Sequence, residues 1–231
     1  MTTLNLLSGG AAQGLVNDLR DAFKLRCDAA IGGDFGAVGL MKDKLLGGAP
    51  CDVVILTAAL IDQLTLGGHV VPGSARPLGV VKTGIAVKVT EPSPDVATPA
   101  SLKAALLGAT GIYFPDPVKA TAGIHFFKVL QQLGIDAQLG PRLRPFPNGA
   151  TAMREMAACN EPGLICCTQV TEILYTPNVR LVANLPSEFE LATVYTAAVC
   201  MKAAHPAAAT TLVELLSGTL SSEKRAAAGF E

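Results

Sequence analysis

The chain has 231 residues, 18 of them Lys or Arg against 19 Asp or Glu, a formal net charge of -1, and half of its residues apolar. That length suits one large α/β domain or two lobes of about 100 residues each. The even charge, with no basic stripe interleaved with aromatics, excludes nucleic acid as an expected partner, and no apolar run reaches the ~18–20 residues of a bilayer span, so membrane insertion is not expected.

Met1-Thr2-Thr3 leads directly into Leu4-Asn5-Leu6-Leu7-Ser8-Gly9-Gly10, without the basic and long apolar segments of a secretory leader. The expected location is the cytoplasm if Met1 is the native start and the periplasm if a leader was removed. Cys27, Cys51, Cys159, Cys166, Cys167 and Cys200 follow no zinc-site or disulfide-framework spacing and read as small buried hydrophobes. No metal or cofactor is expected.

Short β-rich runs alternate with helical ones. Leu4–Ser8 is a first strand, followed by a helix from about Ala11 to Leu25 whose Leu15, Val16, Leu19 and Phe23 recur on one face. Cys27–Ile31 reads as a second strand and Gly33-Asp34-Phe35-Gly36-Ala37 as its loop. Val38–Leu46 is a helix closed by Gly47-Gly48, Val53–Leu56 a buried strand and Ala58–Leu66 the next helix. Leu78–Val89 is a long strand, and Pro92, Pro94 and Pro99 mark a loop before the helix Ala100–Leu107. Ile112–Phe114 is a strand with the turn Pro115-Asp116-Pro117, ahead of the helix Gly123–Leu133. Leu143–Phe146, Leu164–Cys167 and Val179–Val182 are further extended pieces, separated by helices at Ala150–Cys159 and Thr168–Tyr175. Leu191–Cys200 is a second long strand, before helices at His205–Ser217 and Ser222–Ala228.

Two long strands bracketing a middle section with its own βα units predict an α/β fold of two Rossmann-like lobes joined by a double-strand hinge. Residues 1–80 and 197–231 would form lobe I and residues 81–196 lobe II, with a ligand cleft between them. In such sheets ligands bind beyond the carboxyl ends of the strands, where helices begin.

Leu7-Ser8-Gly9-Gly10-Ala11-Ala12-Gln13, Gly47-Gly48-Ala49-Pro50-Cys51-Asp52-Val53-Val54, and Pro115-Asp116-Pro117 with Thr121-Ala122-Gly123 resemble the molybdate-binding family of bacterial solute-binding proteins. The likeness spans nearly the whole chain and implies the type II periplasmic-binding-protein fold. Its molybdate and tungstate binders carry hydroxyl residues in the first two strand-to-helix loops and a tyrosine after the late strand of the second lobe. Here Gly10 falls at the first of those positions. The second loop offers Gly36 and Ala37 without a serine, and Leu164-Ile165-Cys166-Cys167-Thr168 has no tyrosine, bringing Cys167 among the ligand candidates. The resemblance extends to a group that includes an aconitate isomerase. It therefore implies an organic di- or tricarboxylate ahead of a metal oxyanion, and an ABC permease as partner only if the chain is exported.

Helix-opening loops present unpaired backbone N–H groups and the positive end of the helix dipole. Ser8-Gly9-Gly10 and Thr121-Ala122-Gly123 are thus candidate anion clamps, although the glycines equally suit tight turns. Thr57 is a hydroxyl donor or the cap of the following helix, and Lys119 a point charge in the second-lobe loop. Arg142 and Arg144 are candidates for a bidentate grip on a carboxylate. Two functions follow: capture of a small anion, or cofactor-independent isomerisation of an unsaturated carboxylate with Asp34 or His125 moving the proton.

Overall fold

The structure, a computed structural model, describes residues 2–231. The chain opens with β1 (Thr2–Gly9), a 3-10 turn over Gly10–Ala12 and α1 (Gln13–Cys27), then β2 (Ala29–Gly36), α2 (Val38–Leu46), β3 (Val53–Thr57) and α3 (Ala58–Leu66). There follow β4 (Arg76–Lys88), α4 (Pro99–Gly108), β5 (Gly111–Pro115), α5 (Thr121–Gln132), the single turn α6 (Asp136–Leu139), β6 (Leu143–Phe146) and α7 (Gly149–Ala158). The rest is β7 (Leu164–Gln169), α8 (Val170–Tyr175), β8 (Val179–Asn184), β9 (Ala192–Val199), α9 (Pro206–Ser217) and α10 (Ser222–Ala227). Two compact units divide it: residues up to Val81 together with Thr193–Glu231, and Lys82–Ala192. The chain passes between them twice, within β4 and at the start of β9.

In the first unit β1 lies between β2 and β3, parallel to both, and β9 runs antiparallel along β3. Val53, Val54, Ile55 and Leu56 are all fully buried, as a strand covered on both faces requires. The apolar face of α1, Leu15, Val16, Leu19 and Phe23, closes the same core with Leu212, Val213 and Leu216 of α9. Asp52 ties the near ends of three elements together. Its Oδ2 accepts from the Asn5 backbone N–H at 2.7 Å and its Oδ1 from the His205 N–H at 2.8 Å, where α9 begins.

The first helix runs on to Cys27 and the second strand starts at Ala29, later than the sequence pattern predicts. Asp28 takes the left-handed conformation that ends the helix, and its N–H returns to the Lys24 carbonyl. The strand then continues through Gly32-Gly33-Asp34 to Gly36, because β1 pairs with it over eight residues from Thr2↔Ala29 to Gly9↔Gly36. Pairing with a neighbour decides this against the low strand propensity of glycine.

In the second unit β7, β5 and β6 are parallel, and β4 lies antiparallel between β7 and β8. Side-chain alternation splits its core in two. Ile85, Val87, Ile112, Phe114, Ile165 and Cys167 face one way, under Leu102 of α4 and Phe126 of α5. Ala86, Tyr113, Leu164 and Cys166 face the other, under Met153 and Met156 of α7.

Candidate functional site

Because β1, β2 and β3 are parallel, their carboxyl ends share one edge. There the register sets Ser8 beside Phe35 and Ile55, and Gly9 beside Gly36. Ser8, Gly9, Gly10, Gly36, Ala37 and Thr57 thus gather at a single edge of the first unit. A Cβ on Gly9 would come within 2.9 Å of Val38 Cγ1 and 3.0 Å of Tyr195 Cε1, so glycine lets α2 and β9 close over the end of β1. Three helical segments start here, after Gly9, Ala37 and Thr57, and none has a side-chain cap. Thr57 occupies the cap position of α3 without its side chain capping. The Ser8 hydroxyl donates to the Gly9 carbonyl at 2.9 Å.

The second unit repeats the arrangement. β5 ends at Pro115, the Asp116 carboxylate accepts the N–H groups of Val118 and Lys119, and α5 starts at Thr121 with no side-chain cap. A Cβ on Gly123 would lie 2.2 Å from the Pro115 carbonyl oxygen and 2.3 Å from that of Asp116. Glycine is what seats the first turn of α5 directly on the end of β5. Thr121 and Ala122 sit in that turn, and Lys119 in the loop before it.

Beside it, Asn148 caps α7 by accepting the Thr151 N–H at 2.8 Å, and Gly149 packs against Thr168 and Glu172. Glu172 is buried; its Oε2 accepts the Thr168 hydroxyl at 2.5 Å, and the backbone N–H groups of Ala150 and Gln169 donate to its carboxylate. Burial nevertheless pushes its pKa above the usual carboxylate range.

Several candidates land elsewhere. Asp34 lies within β2, not in a loop after it, and pairs with Lys44 at 2.5 Å on the surface. Cys167 is a fully buried strand residue whose thiol pKa is driven well up by desolvation, so it belongs to the core and not to a ligand surface. Its neighbour Cys166 is buried against the opposite face of the same sheet. His125, expected in the first turn of the helix, falls in the second turn of α5 because the helix starts at Thr121, and its Nε2 bonds to the Phe189 carbonyl at 2.7 Å. Arg142 donates to the Leu107 and Ala109 carbonyls, while Arg144 pairs with Glu161 at 2.8 Å and lies over the Tyr113 ring. Both guanidiniums are engaged in holding their own unit together.

The sequence pattern missed Thr83, Gln169 and Thr171. Pairing with β4 carries β7 two residues past Cys167, which places Gln169 opposite Thr83 at the carboxyl edge. All three side chains are buried, and the polar atoms of each, Thr83 Oγ1, Gln169 Nε2 and Oε1, and Thr171 Oγ1, have no hydrogen-bond partner. A glutamine in the first turn of the helix predicted at Thr168–Tyr175, directly after a predicted strand, was the available signal.

Two hollows lie away from these edges. One of about 240 Å³, lined by Pro50, Cys51, His69 and Cys200, is at the amino end of β3; one of about 210 Å³, lined by Ala109, Gly163 and Leu164, is at the amino ends of β5 and β7. Parallel α/β sheets take ligands at the opposite, carboxyl ends. Among the described residues no helix is long and apolar enough to cross a membrane, and no group of three His, Cys, Asp or Glu is placed to hold a metal.

Parallel strands that deliver uncapped helix starts to one edge in each of two α/β units define the architecture of periplasmic binding proteins. Residues 4–231 match the family of bacterial extracellular solute-binding proteins, and the chain belongs to it. It is similar to an aconitate isomerase from a Pseudomonas species, 25% identical over 222 residues, which covers 94% of this chain and 82% of that protein. Among solved structures, the periplasmic molybdate-binding protein of Azotobacter vinelandii superposes with a TM-score of 0.80 at 18% identity, covering 99% of this chain and 98% of that one. The sulfate-binding protein SubI of Mycobacterium tuberculosis H37Rv gives 0.75 at 16% identity, covering 100% and 86%.

Proposed function

We propose that the protein binds a small organic di- or tricarboxylate through the carboxyl edges of its two sheets. The observation that carries the reading is the set of uncapped helix starts after Gly9, Ala37 and Thr57 in one unit and after Ala120 in the other. Their backbone N–H groups favour negative charge without needing a cationic side chain. The similarity to an aconitate isomerase supports a carboxylate as the anion, since aconitate is a tricarboxylate. Ser8–Gly10, Gly36, Ala37 and Thr57 would contribute from the first unit, and Lys119 and Thr121–Gly123 from the second. On this reading, if the chain is exported, it works in the periplasm and hands its ligand to an ABC permease.

The same similarity favours a second reading, isomerisation of an unsaturated carboxylate. That reaction needs a proton carrier. His125 would serve through Nδ1, because Nε2 is committed to the Phe189 carbonyl. Asp34 would first have to leave its ion pair with Lys44.

Thermal unfolding in the presence of candidate ligands tests the proposal. A ligand at about 100 times its Kd adds about 2.7 kcal/mol of stability. Citrate and aconitate are expected to raise Tm more than molybdate or sulfate; stabilisation by molybdate alone would overturn the carboxylate reading. Incubation with cis-aconitate, followed by proton NMR for the trans isomer, separates binding from isomerisation.

A further inference from the structure

The buried polar atoms at the end of β7 restrict the ligand further than its charge does. Thr83 and Gln169 are directly paired across β4 and β7, so their side chains share a face. By alternation it is the face of Ile85, Ile165 and Cys167, the one that α5 covers. The Gln169 amide therefore lies on the sheet face where the uncapped start of α5 is seated on β5. Gln169 is 3% exposed, Thr83 1% and Thr171 4%, and Thr83 Oγ1, Gln169 Nε2 and Oε1, and Thr171 Oγ1 all lack a partner. Leaving such groups unpaired is destabilising, a cost that a binding site recovers when its ligand arrives.

Hydroxyls can donate or accept, so a carboxylate satisfies Thr83 and the amide N–H of Gln169. Gln169 Oε1 is different, because it accepts only. Reversing the amide leaves the same requirement at the other position. A bare oxyanion such as molybdate or sulfate brings acceptors alone and leaves this oxygen orphaned.

We propose that Thr83 and Gln169 form a subsite for the hydroxyl-bearing end of a hydroxycarboxylate, with the Gln169 amide accepting from the ligand hydroxyl and donating to its carboxylate. This rests on the carboxylate reading above and narrows it.

The test compares matched acids by calorimetry: citrate against tricarballylate, and malate against succinate, which differ only by the hydroxyl. The full chain is expected to bind the hydroxy member of a pair about tenfold more tightly or better. Gln169→Met should abolish that preference while leaving the Tm of the ligand-free protein unchanged or higher, since it replaces two unpaired buried polar atoms by apolar ones of similar volume. Thr83→Val should weaken both members of each pair. Equal affinity within each pair would overturn the subsite and leave the carboxylate reading standing. Binding of molybdate or sulfate with no carboxylate bound would overturn both. A clear fall in Tm for ligand-free Gln169→Met would show the amide to be structural and would likewise overturn the subsite.

Discussion

Gly123→Ala probes the seating of the second unit's helix start. The added Cβ would lie 2.2 Å and 2.3 Å from two backbone carbonyl oxygens, those of Pro115 and Asp116. Ordinary carbon–oxygen contact is about 3.2 Å or more, so the first turn of α5 must lift by about 1 Å, and neither carbonyl belongs to a flexible side chain that could yield. Overpacking of this kind costs about 1–3 kcal/mol. For a chain of this length each kcal/mol lowers Tm by about 2–4 °C, giving a fall of roughly 2–12 °C by calorimetry or circular dichroism. Lifting the helix also draws its free N–H groups away from an anion at the β5 edge, so carboxylate affinity should fall together with stability. Gly108→Ala is the control. It lies at the end of α4 with no atom within 4 Å of the added Cβ, and is expected to be neutral or to stabilise by about 0.4–1 kcal/mol. A Gly123→Ala protein that melts and binds like the wild type would refute the reasoning.

Asp52→Ala strips the acceptor from two backbone N–H groups, of Asn5 and His205, and should cost about 2–5 kcal/mol, read as a lower denaturation midpoint; a loss below about 0.5 kcal/mol would show that water replaces the carboxylate. Glu172 gives a pH signature. Its folded-state pKa is raised above 4.5 by burial, so the folded chain holds the proton more tightly than the unfolded one. That contribution is complete below about pH 4.5 and lost as pH rises through the folded-state value, so Tm of Glu172→Gln relative to wild type should climb over this window, and parallel pH profiles would contradict it. Thiol reactivity should be ordered. Cys159 has its pKa lowered, first by a backbone hydrogen bond from Glu161 and then by the Tyr113 side chain, whereas burial raises those of Cys166 and Cys167. Timed iodoacetamide labelling read by mass spectrometry should modify Cys159 well before Cys166 or Cys167.

The sequence by itself determined the α/β alternation and the position of most elements, because burial on one or both faces writes a period into the apolar residues. Val53–Leu56 could only be an interior strand, and Leu15, Val16, Leu19 and Phe23 only a helix face. It also marked the glycines after β1 and in the first turn of α5, since close approach of a helix to a strand end admits no side chain. Tertiary structure decided what depends on a partner strand. Pairing with β1 drew Gly32–Gly36 and Asp34 into β2, and pairing with β4 carried β7 past Cys167 to Gln169. Local propensity holds no information about a neighbour distant in sequence. For that reason Cys167, placed at the site by the family resemblance, is buried in the core, while Thr83 and Gln169, 86 positions apart and brought together only by the β4–β7 register, hold unpaired polar atoms at the edge.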